Sequence, residues 1–229
     1  MKESQLAPIS SGLISINRPI YLISKRLLDL LVCVLAMIIV APLMMLIALW
    51  IKLDSDGPVL FKQPRVGQNG RIFTLYKFRT MFHNADPELH RRYVEKLISN
   101  QLPTTKAGTD APTFKLQRDP RITHVGRILR RTSLDELPQI FNVLIGNMSL
   151  VGPRPPITYE VEAYQEWHKG RLATIPGMTG LWQVQGRSRV SFDDMVVMDL
   201  EYIQRQSLWL DIKILLLTIP AVISGNGAE

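Results

Sequence analysis

The stretch LLDLLVCVLAMIIVAPLMMLIALWI, residues 27–51, decides the class of this 229-residue chain. Residues 30–51 carry no charged side chain. That is long enough for a transmembrane helix, which needs about 20 apolar residues. The run is too long for the apolar core of a signal peptide, and no cleavage site of small residues follows it. We therefore expect a membrane segment that stays in the protein.

The flanks of this segment and one proline leave open whether it spans the membrane or enters it and returns. Lys25 and Arg26 precede the apolar run and Lys52 follows it, whereas the positive-inside rule expects one flank to be richer in Lys and Arg. Pro42 removes a backbone donor in mid-run and favours a kink. A re-entrant helix bent at Pro42 would leave both flanks on the cytoplasmic side, but spanning helices also tolerate proline.

Outside the membrane segment, the sequence patterns predict both short helices and short strands. Two strand-like stretches flank residues 68–70, where Asn-Gly favours a hairpin turn. Helical spacing marks residues 86–100. The apolar stretch 208–223 is either a core helix or a helix lying in the membrane interface. The glycine-rich stretch GMTGLWQVQGR, residues 177–187, reads as a structured loop.

Charge and cysteine content limit the partners and the metals. A net charge of +7 suits anionic partners, which could be nucleic acid, anionic lipid or phosphorylated substrates. Cys33 is the single cysteine, which excludes a disulfide framework and a cysteine-based zinc site. The four histidines are scattered along the sequence without metal-ligand spacing, so we expect neither zinc nor iron.

The stretch RRTSLDELPQIF, residues 131–142, has two readings. Ser133 and Glu136 form a capping-box pattern, in which Asp135 only favours the helix dipole. Pro138 weakens that reading, because a helix capped at Ser133 would lose a backbone hydrogen bond there. If the helix begins at Asp135 instead, this carboxylate lies at a helix N-terminus beside arginines, where a diphosphate is attracted.

In the second reading the two carboxylates have chemical roles to fill. An aspartate can attack phosphorus and split a transfer into two steps through an acyl phosphate. The neighbouring Glu136 can act as a base or hold Mg²⁺. In GPRPP, residues 152–156, prolines restrain the backbone around Arg154, so its guanidinium could meet a phosphate with little loss of entropy. Lys77 and Arg79 share one face if YKFRTM is a strand, while Arg187 and Asp199 are weak signals alone.

Three long motifs, in this order, resemble one family of enzymes. They are KRLLDLL…APLMMLIALWIKLDSDGPVLFKQPRVGQNGRIFTLYKFRTM, DPRITHVGRILRRTSLDELPQIFNVLIGNMSLVGPRP and PGMTGLWQVQGR. The resemblance is to the bacterial sugar transferases, monotopic phosphoglycosyl transferases that start glycan assembly on a polyprenol phosphate. It runs from about Lys25 to Pro220 and is nearest to the short exopolysaccharide-type galactose or glucose phosphate transferases.

The resemblance implies a two-step reaction with Asp135 as the nucleophile. A UDP-sugar would give its sugar phosphate to Asp135 and release UMP, and undecaprenyl phosphate would then take the sugar phosphate from the covalent intermediate. Glu136 would be the neighbouring base, and both carboxylates would bind Mg²⁺. Positions expected to bind phosphate or substrate, or to lie near the site, are Lys77, Arg79, Arg130, Arg154, Gln185, Arg187 and Asp199.

The resemblance also implies a fold and a location. We expect a helix-rich α+β protein. Residues 1–23 would form a flexible tail and residues 24–52 a re-entrant helix–break–helix. Residues 53–229 would form the catalytic domain, which includes a small β-hairpin. The tail is too short for the extra spans of larger relatives. Ala41 stands before Pro42, where relatives often have Ser, and Gln185 stands where they often have Asn. The active site would lie on the cytoplasmic face of the bacterial inner membrane, with no nucleic acid bound; a homodimer is also considered.

Two rival functions explain part of the sequence. A basic membrane-anchored module that binds nucleic acid or lipid accounts for the charge and the apolar segment, but it does not need adjacent carboxylates and lacks the aromatic platforms of single-strand binders. A phosphohydrolase would use the same carboxylates with water as acceptor, and it leaves the membrane segment unexplained.

Overall fold

The computed structural model describes residues 18–86, 88–98, 119–185 and 190–223. Most of the expected tail and the loop at 101–113 lie outside them. The described residues form a helix-rich α+β fold, which confirms the predicted class. The elements are α1 Pro19–Asp54, β1 Leu60–Val66, β2 Ile72–Phe78, α2 Glu88–Ile98, α3 His124–Arg131, α4 Gln139–Leu144, β3 Ser149–Val151, α5 Thr158–Glu162, β4 Gly177–Thr179, α6 Leu181–Gln185, α7 Phe192–Arg205 and α8 Leu208–Ile223.

Helix α1 differs from the expected membrane segment in two respects. It begins at Pro19, so residues 19–23 are helical and not part of a tail, since a proline at the first helical position is pre-organised for a helix. It is also helical on both sides of Pro42 and through it, so the predicted break between two helices is not confirmed. A proline removes only one backbone donor, and the helical turns on either side of it keep their hydrogen bonds.

One face of α1 contacts the rest of the protein along both of its halves. Cys33 lies in an apolar cluster with Val143 and Met148, and Ile47 lies in another cluster with Leu129. The opposite face is exposed and apolar, and it includes Ile23, Leu31, Ile38, Leu46 and Trp50. In the described part of the chain, α1 is the helix that is long and apolar enough to cross a membrane.

The start of α1 is held on α8 by buried polar groups. The Lys25 Nζ lies 2.9 Å from Asp211 Oδ2, and the Tyr21 hydroxyl donates to the same oxygen at 2.9 Å. The Tyr202 hydroxyl donates to the other oxygen, Oδ1, at 2.7 Å. Helix α8 buries Asp211 and exposes apolar side chains such as Trp209 on its other face. The reading of residues 208–223 as a helix packed on the core is confirmed for this face, and its location in the membrane interface stays a prediction.

The predicted hairpin is confirmed. Strands β1 and β2 pair antiparallel, from Leu60 opposite Phe78 to Val66 opposite Ile72. The turn places Asn69 and Gly70 at positive φ, which these two residue types tolerate best. The fully buried Asn142 of α4 binds the backbone of β2, accepting from the Tyr76 N–H at 3.0 Å. This contact fixes β2 beside α4.

The stretch 177–187 is not a loop as far as the structure describes it. Its first residues form β4, which pairs parallel with β3, and α6 follows. A Cβ added to Gly177 would lie 2.0 Å from the backbone nitrogen of Gly152. The glycine is therefore required for close approach of two backbones, a use that cannot be told from a loop in the sequence.

Candidate active site

The carboxylate pair lies in a 3₁₀ turn, Leu134–Glu136, between α3 and α4. Ser133 precedes it with φ 57° and, within the described structure, makes no side-chain capping bond. The capping-box reading is therefore wrong. The alternative helix start at Asp135 is also wrong, because α4 begins at Gln139 with Pro138 as its N-cap. The tight turn buries Asp135, which is 7% exposed.

Beside this turn is an open cleft. The Lys77 Nζ lies 2.7 Å from the Glu136 Oε1 across the cleft, which joins β2 to the turn. The described lining does not include Asp135. It consists of Arg65, Leu75, Lys77, Glu136, Gln139, Arg154, Pro155, Gly177, Met178 and Gln183. Three cations and two amide side chains therefore meet in one cleft, as a polar, negatively charged ligand requires.

Arg65 is a cleft residue that the sequence did not reveal as one. It lies on β1, and its guanidinium donates to the Pro155 carbonyl at 2.8 Å. Burial and the neighbouring Arg154 lower the pKa of Arg65 to about 10. In the sequence it is one more basic residue after the apolar run. Arg65 comes close to Arg154 only because its backbone pairs antiparallel with Ile157.

Arg130 lies in α3, which contacts the turn that holds the carboxylate pair. Its Nε donates to the Thr80 Oγ1 at 2.9 Å. Burial lowers the pKa of Arg130, and the negative charge of Asp135 is the main influence that acts against this. This influence of Asp135 on the pKa of Arg130 agrees with the predicted proximity of the two residues.

Among the described residues that were predicted for the site, Arg79, Asp199 and Gln185 do not line the cleft. Arg79 is buried and donates to the Ser55 carbonyl at 2.7 Å and to the Asp56 carbonyl, beyond the end of α1. Asp199 is buried against Arg171, and burial raises its pKa to about 6. Gln185 is exposed, while the nearby Gln183 lines the cleft. Arg187 lies outside the described residues.

The residues present are compatible with Mg²⁺, although they do not form a complete protein site. No group of three or more His, Cys, Asp or Glu side chains in the described ranges could hold a metal. Mg²⁺ commonly uses one or two carboxylates together with substrate phosphates and water. The adjacent Asp135 and Glu136 beside a cation-lined cleft fit that donor set.

The sequence model of the family described as bacterial sugar transferase matches residues 20–225. The chain belongs to this family. It is 46% identical over 205 residues to the undecaprenyl-phosphate galactose phosphotransferase of Salmonella typhimurium, covering 89% of this chain and 41% of that protein. It is 45% identical over 210 residues to the galactosyl transferase CpsE of Streptococcus agalactiae, covering 91% and 44%.

A third relative matches over most of its own length. The exopolysaccharide production protein ExoY of Sinorhizobium fredii is 43% identical over 211 residues, with 92% of this chain and 90% of ExoY covered. The chain thus spans less than half of the first two relatives and nearly all of ExoY. The predicted resemblance to the bacterial sugar transferases is confirmed.

Proposed function

We propose that this protein transfers a sugar 1-phosphate from a UDP-sugar to undecaprenyl phosphate and releases UMP. The observation that carries the proposal is the cleft in which Arg65, Lys77 and Arg154 surround Glu136, next to Asp135. A cleft with this charge suits a diphosphate. The names of the Salmonella typhimurium relative and of an undecaprenyl-phosphate glucose phosphotransferase of Komagataeibacter xylinus, 43% identical over 218 residues, support the same acceptor.

The proposed chemistry has two displacements at one phosphorus. A carboxylate oxygen of Asp135 attacks the phosphorus that bears the sugar, the bond to the bridging oxygen breaks, and UMP leaves. A phosphate oxygen of undecaprenyl phosphate then attacks the acyl phosphate, so the carboxylate of Asp135 is released and a diphosphate-linked sugar forms. Each step forms one P–O bond and breaks one.

The surroundings of Asp135 favour transfer to a lipid over transfer to water. Because Asp135 is only 7% exposed, the reacting phosphorus must approach the few atoms of it that remain accessible. The same burial keeps most bulk water from an acyl phosphate at this position, which limits its hydrolysis. Lys77 holds Glu136 in the cleft, where this carboxylate acts as the neighbouring base. Mg²⁺ held by Asp135 and Glu136 would offset the negative charge of the diphosphate.

We also propose that the site lies on the cytoplasmic face of the bacterial inner membrane. The domain holds the start of α1 through Lys25. It also holds the end of α1, where the Asp54 Oδ2 accepts from the Val125 N–H at 3.2 Å. Two ends bound to one domain support a helix whose ends stay on the same side. The exposed apolar faces of α1 and α8 support contact with lipid. A homodimer stays a prediction.

The test of this function is the release of UMP from a panel of UDP-sugars, with and without undecaprenyl phosphate. We expect lipid-dependent release from one sugar by the wild type and a loss of roughly 10⁴-fold in Asp135→Asn, since removal of a residue of a catalytic unit has effects of this size. Asp56→Asn, which changes an exposed aspartate outside the cleft, is the matched control.

The other outcomes are equally informative. Mass spectrometry without acceptor should find the sugar phosphate on Asp135. Without the lipid, the proposed mechanism releases at most one equivalent of UMP per protein, so repeated turnover without the lipid would favour a phosphohydrolase. Undiminished release by Asp135→Asn would remove Asp135 from the mechanism, and no release from any sugar would favour an anchored binding module.

A further inference from the structure

Glu160 is a carboxylate buried beneath the cleft. It lies in the first turn of α5, and its side chain is 0% exposed. A charged group in such a place must be paired, because an isolated buried charge is strongly unfavourable. Its position follows from the pairing of β1 with the segment before α5, in which the Val66 N–H donates to the Pro156 carbonyl at 2.9 Å.

Two arginines share this carboxylate. The Arg154 Nη1 lies 3.2 Å from the Glu160 Oε2, and its Nη2 lies 3.4 Å from Oε1. The Arg65 Nη1 lies 4.0 Å from Oε1 and also donates to the Pro155 carbonyl, the residue after Arg154. Arg65 thus restrains the backbone beside Arg154, while Glu160 holds the guanidinium.

Arg154 lines the cleft. Its side chain is 20% exposed, whereas Glu160 has no exposed surface with which to reach a ligand. Two neighbouring guanidinium groups repel each other in a partly buried site, and a single anion between them offsets that repulsion. We therefore expect Glu160 to affect a ligand only through Arg154. The formal charges of Glu160, Arg65 and Arg154 sum to one positive charge, which attracts an anionic ligand.

We propose that Glu160 and Arg65 are positioning residues that hold the Arg154 guanidinium in the cleft for the diphosphate of the donor. The identity of the donor rests on the proposed function, but the positioning does not require that any reaction take place. The proposal predicts that Glu160 affects diphosphate binding only as long as Arg154 is present.

The first experiment measures the affinity of the detergent-solubilised full chain for UDP, a probe that carries the diphosphate without the sugar. We expect Glu160→Gln to weaken UDP binding on the order of 10- to 100-fold, the range that misplacement of a binding group produces. Glu162→Gln is the matched control, because Glu162 lies on the same helix with an exposed side chain. It should bind UDP as the wild type does.

The second experiment separates positioning from a general structural role. In the Arg154→Gln background, Glu160→Gln should weaken UDP binding by less than about twofold more, because residues that act as a unit are not additive. Full additivity of the two changes would overturn the proposal, and so would wild-type affinity in Glu160→Gln. Near-ultraviolet circular dichroism shows whether each variant is folded.

If Glu160→Gln does not fold, Arg65→Lys serves in its place. It keeps the charge but cannot reproduce the fork that reaches both Pro155 and Gln63. It should also weaken UDP binding, and again only when Arg154 is present. A wild type that binds UDP but releases no UMP from any UDP-sugar would refute the proposed function alone; a wild type that does not bind UDP would overturn both proposals.

Discussion

Two buried pairs of arginine and carboxylate have the same chemistry and different surroundings. In the cleft, Arg154 contacts Glu160 and keeps a fifth of its side chain exposed. In the core, Arg171 contacts Asp199 and the Tyr164 hydroxyl at 3.0 Å, and its side chain is 2% exposed. The first cation can reach a ligand, whereas the second cannot.

The difference indicates that a buried ion pair can take part in ligand binding only where one of its two partners is accessible from outside. Asp199 is next to the apolar cluster that includes Val196, Leu200 and Tyr202, so we expect its role there to be structural. The cleft pair is instead completed by Arg65 and faces Lys77 and Glu136. Loss of the core pair should therefore reduce stability, and loss of a cleft contact should reduce ligand binding or activity.

The largest expected effect on stability is that of Arg171→Met. The change leaves Asp199 buried without its cation, which lowers the free energy of unfolding by about 3–5 kcal/mol. Thermal denaturation in detergent measures it. Arg205→Met, which breaks a surface pair with Glu201, should change stability by no more than about 0.5 kcal/mol. Equal effects of the two changes would show that the core pair is no more important than a surface pair.

The pH dependence of stability gives the next largest effect. Because the pKa of Asp199 is raised by burial to about 6, while an unfolded aspartate titrates near about 3.9, the folded state binds more protons between these values. Stability from this group is therefore present below about pH 4 and is lost as pH rises towards 6, by about 3 kcal/mol in all.

Denaturation of the wild type and Asp199→Asn from pH 4 to pH 7 checks this prediction. The stability of the wild type relative to the variant should fall up to about pH 6 and stay constant above it. A relative stability that rises with pH would mean that Asp199 has a lowered pKa in the folded protein, as expected if the pairing with Arg171 outweighed burial.

Apart from the control variants, Lys77→Met should have the smallest effect on stability of the changes considered. Its effect on activity should nevertheless be large. The pair with Glu136 is partly exposed, so its loss should change the free energy of unfolding by less than about 1 kcal/mol. UMP release should fall on the order of 100-fold, because a cation facing the diphosphate is removed.

Lys169→Met is the control for Lys77→Met. It removes a lysine that pairs with Glu166 on the surface, so stability and UMP release should both stay as in the wild type. A variant Lys77→Met that lost stability and kept its activity would reverse the comparison between cleft and core.

Local sequence patterns predicted the elements whose causes are local. The Asn-Gly turn, the apolar stretch 27–51 and the helix at 208–223 depend on neighbouring residues. The family motifs also selected Lys77, Glu136 and Arg154, and the structure brings these three into one cleft. The capping box failed because Ser133 takes a left-handed conformation that a four-residue pattern does not reveal.

The partners of charged residues could not be predicted, because they come from distant parts of the chain. Arg65 and Pro155 are 90 residues apart in sequence, and Arg171 and Asp199 are 28 apart. Arg79 looked like a companion of Lys77 two residues earlier, yet it binds carbonyls that follow α1. Strand periodicity gives the face of a residue but not what lies opposite that face.

The sequence by itself determined the family, the long apolar segment and the adjacent carboxylates, since these depend on residue type, order and spacing. The tertiary structure alone decided which cations face the cleft, that Asp135 is nearly buried, and that Glu160 stands behind Arg154. The physical reason is that a charge acts according to its burial and its partners in space, and both are products of the packing of α5, β1 and the turn before α4.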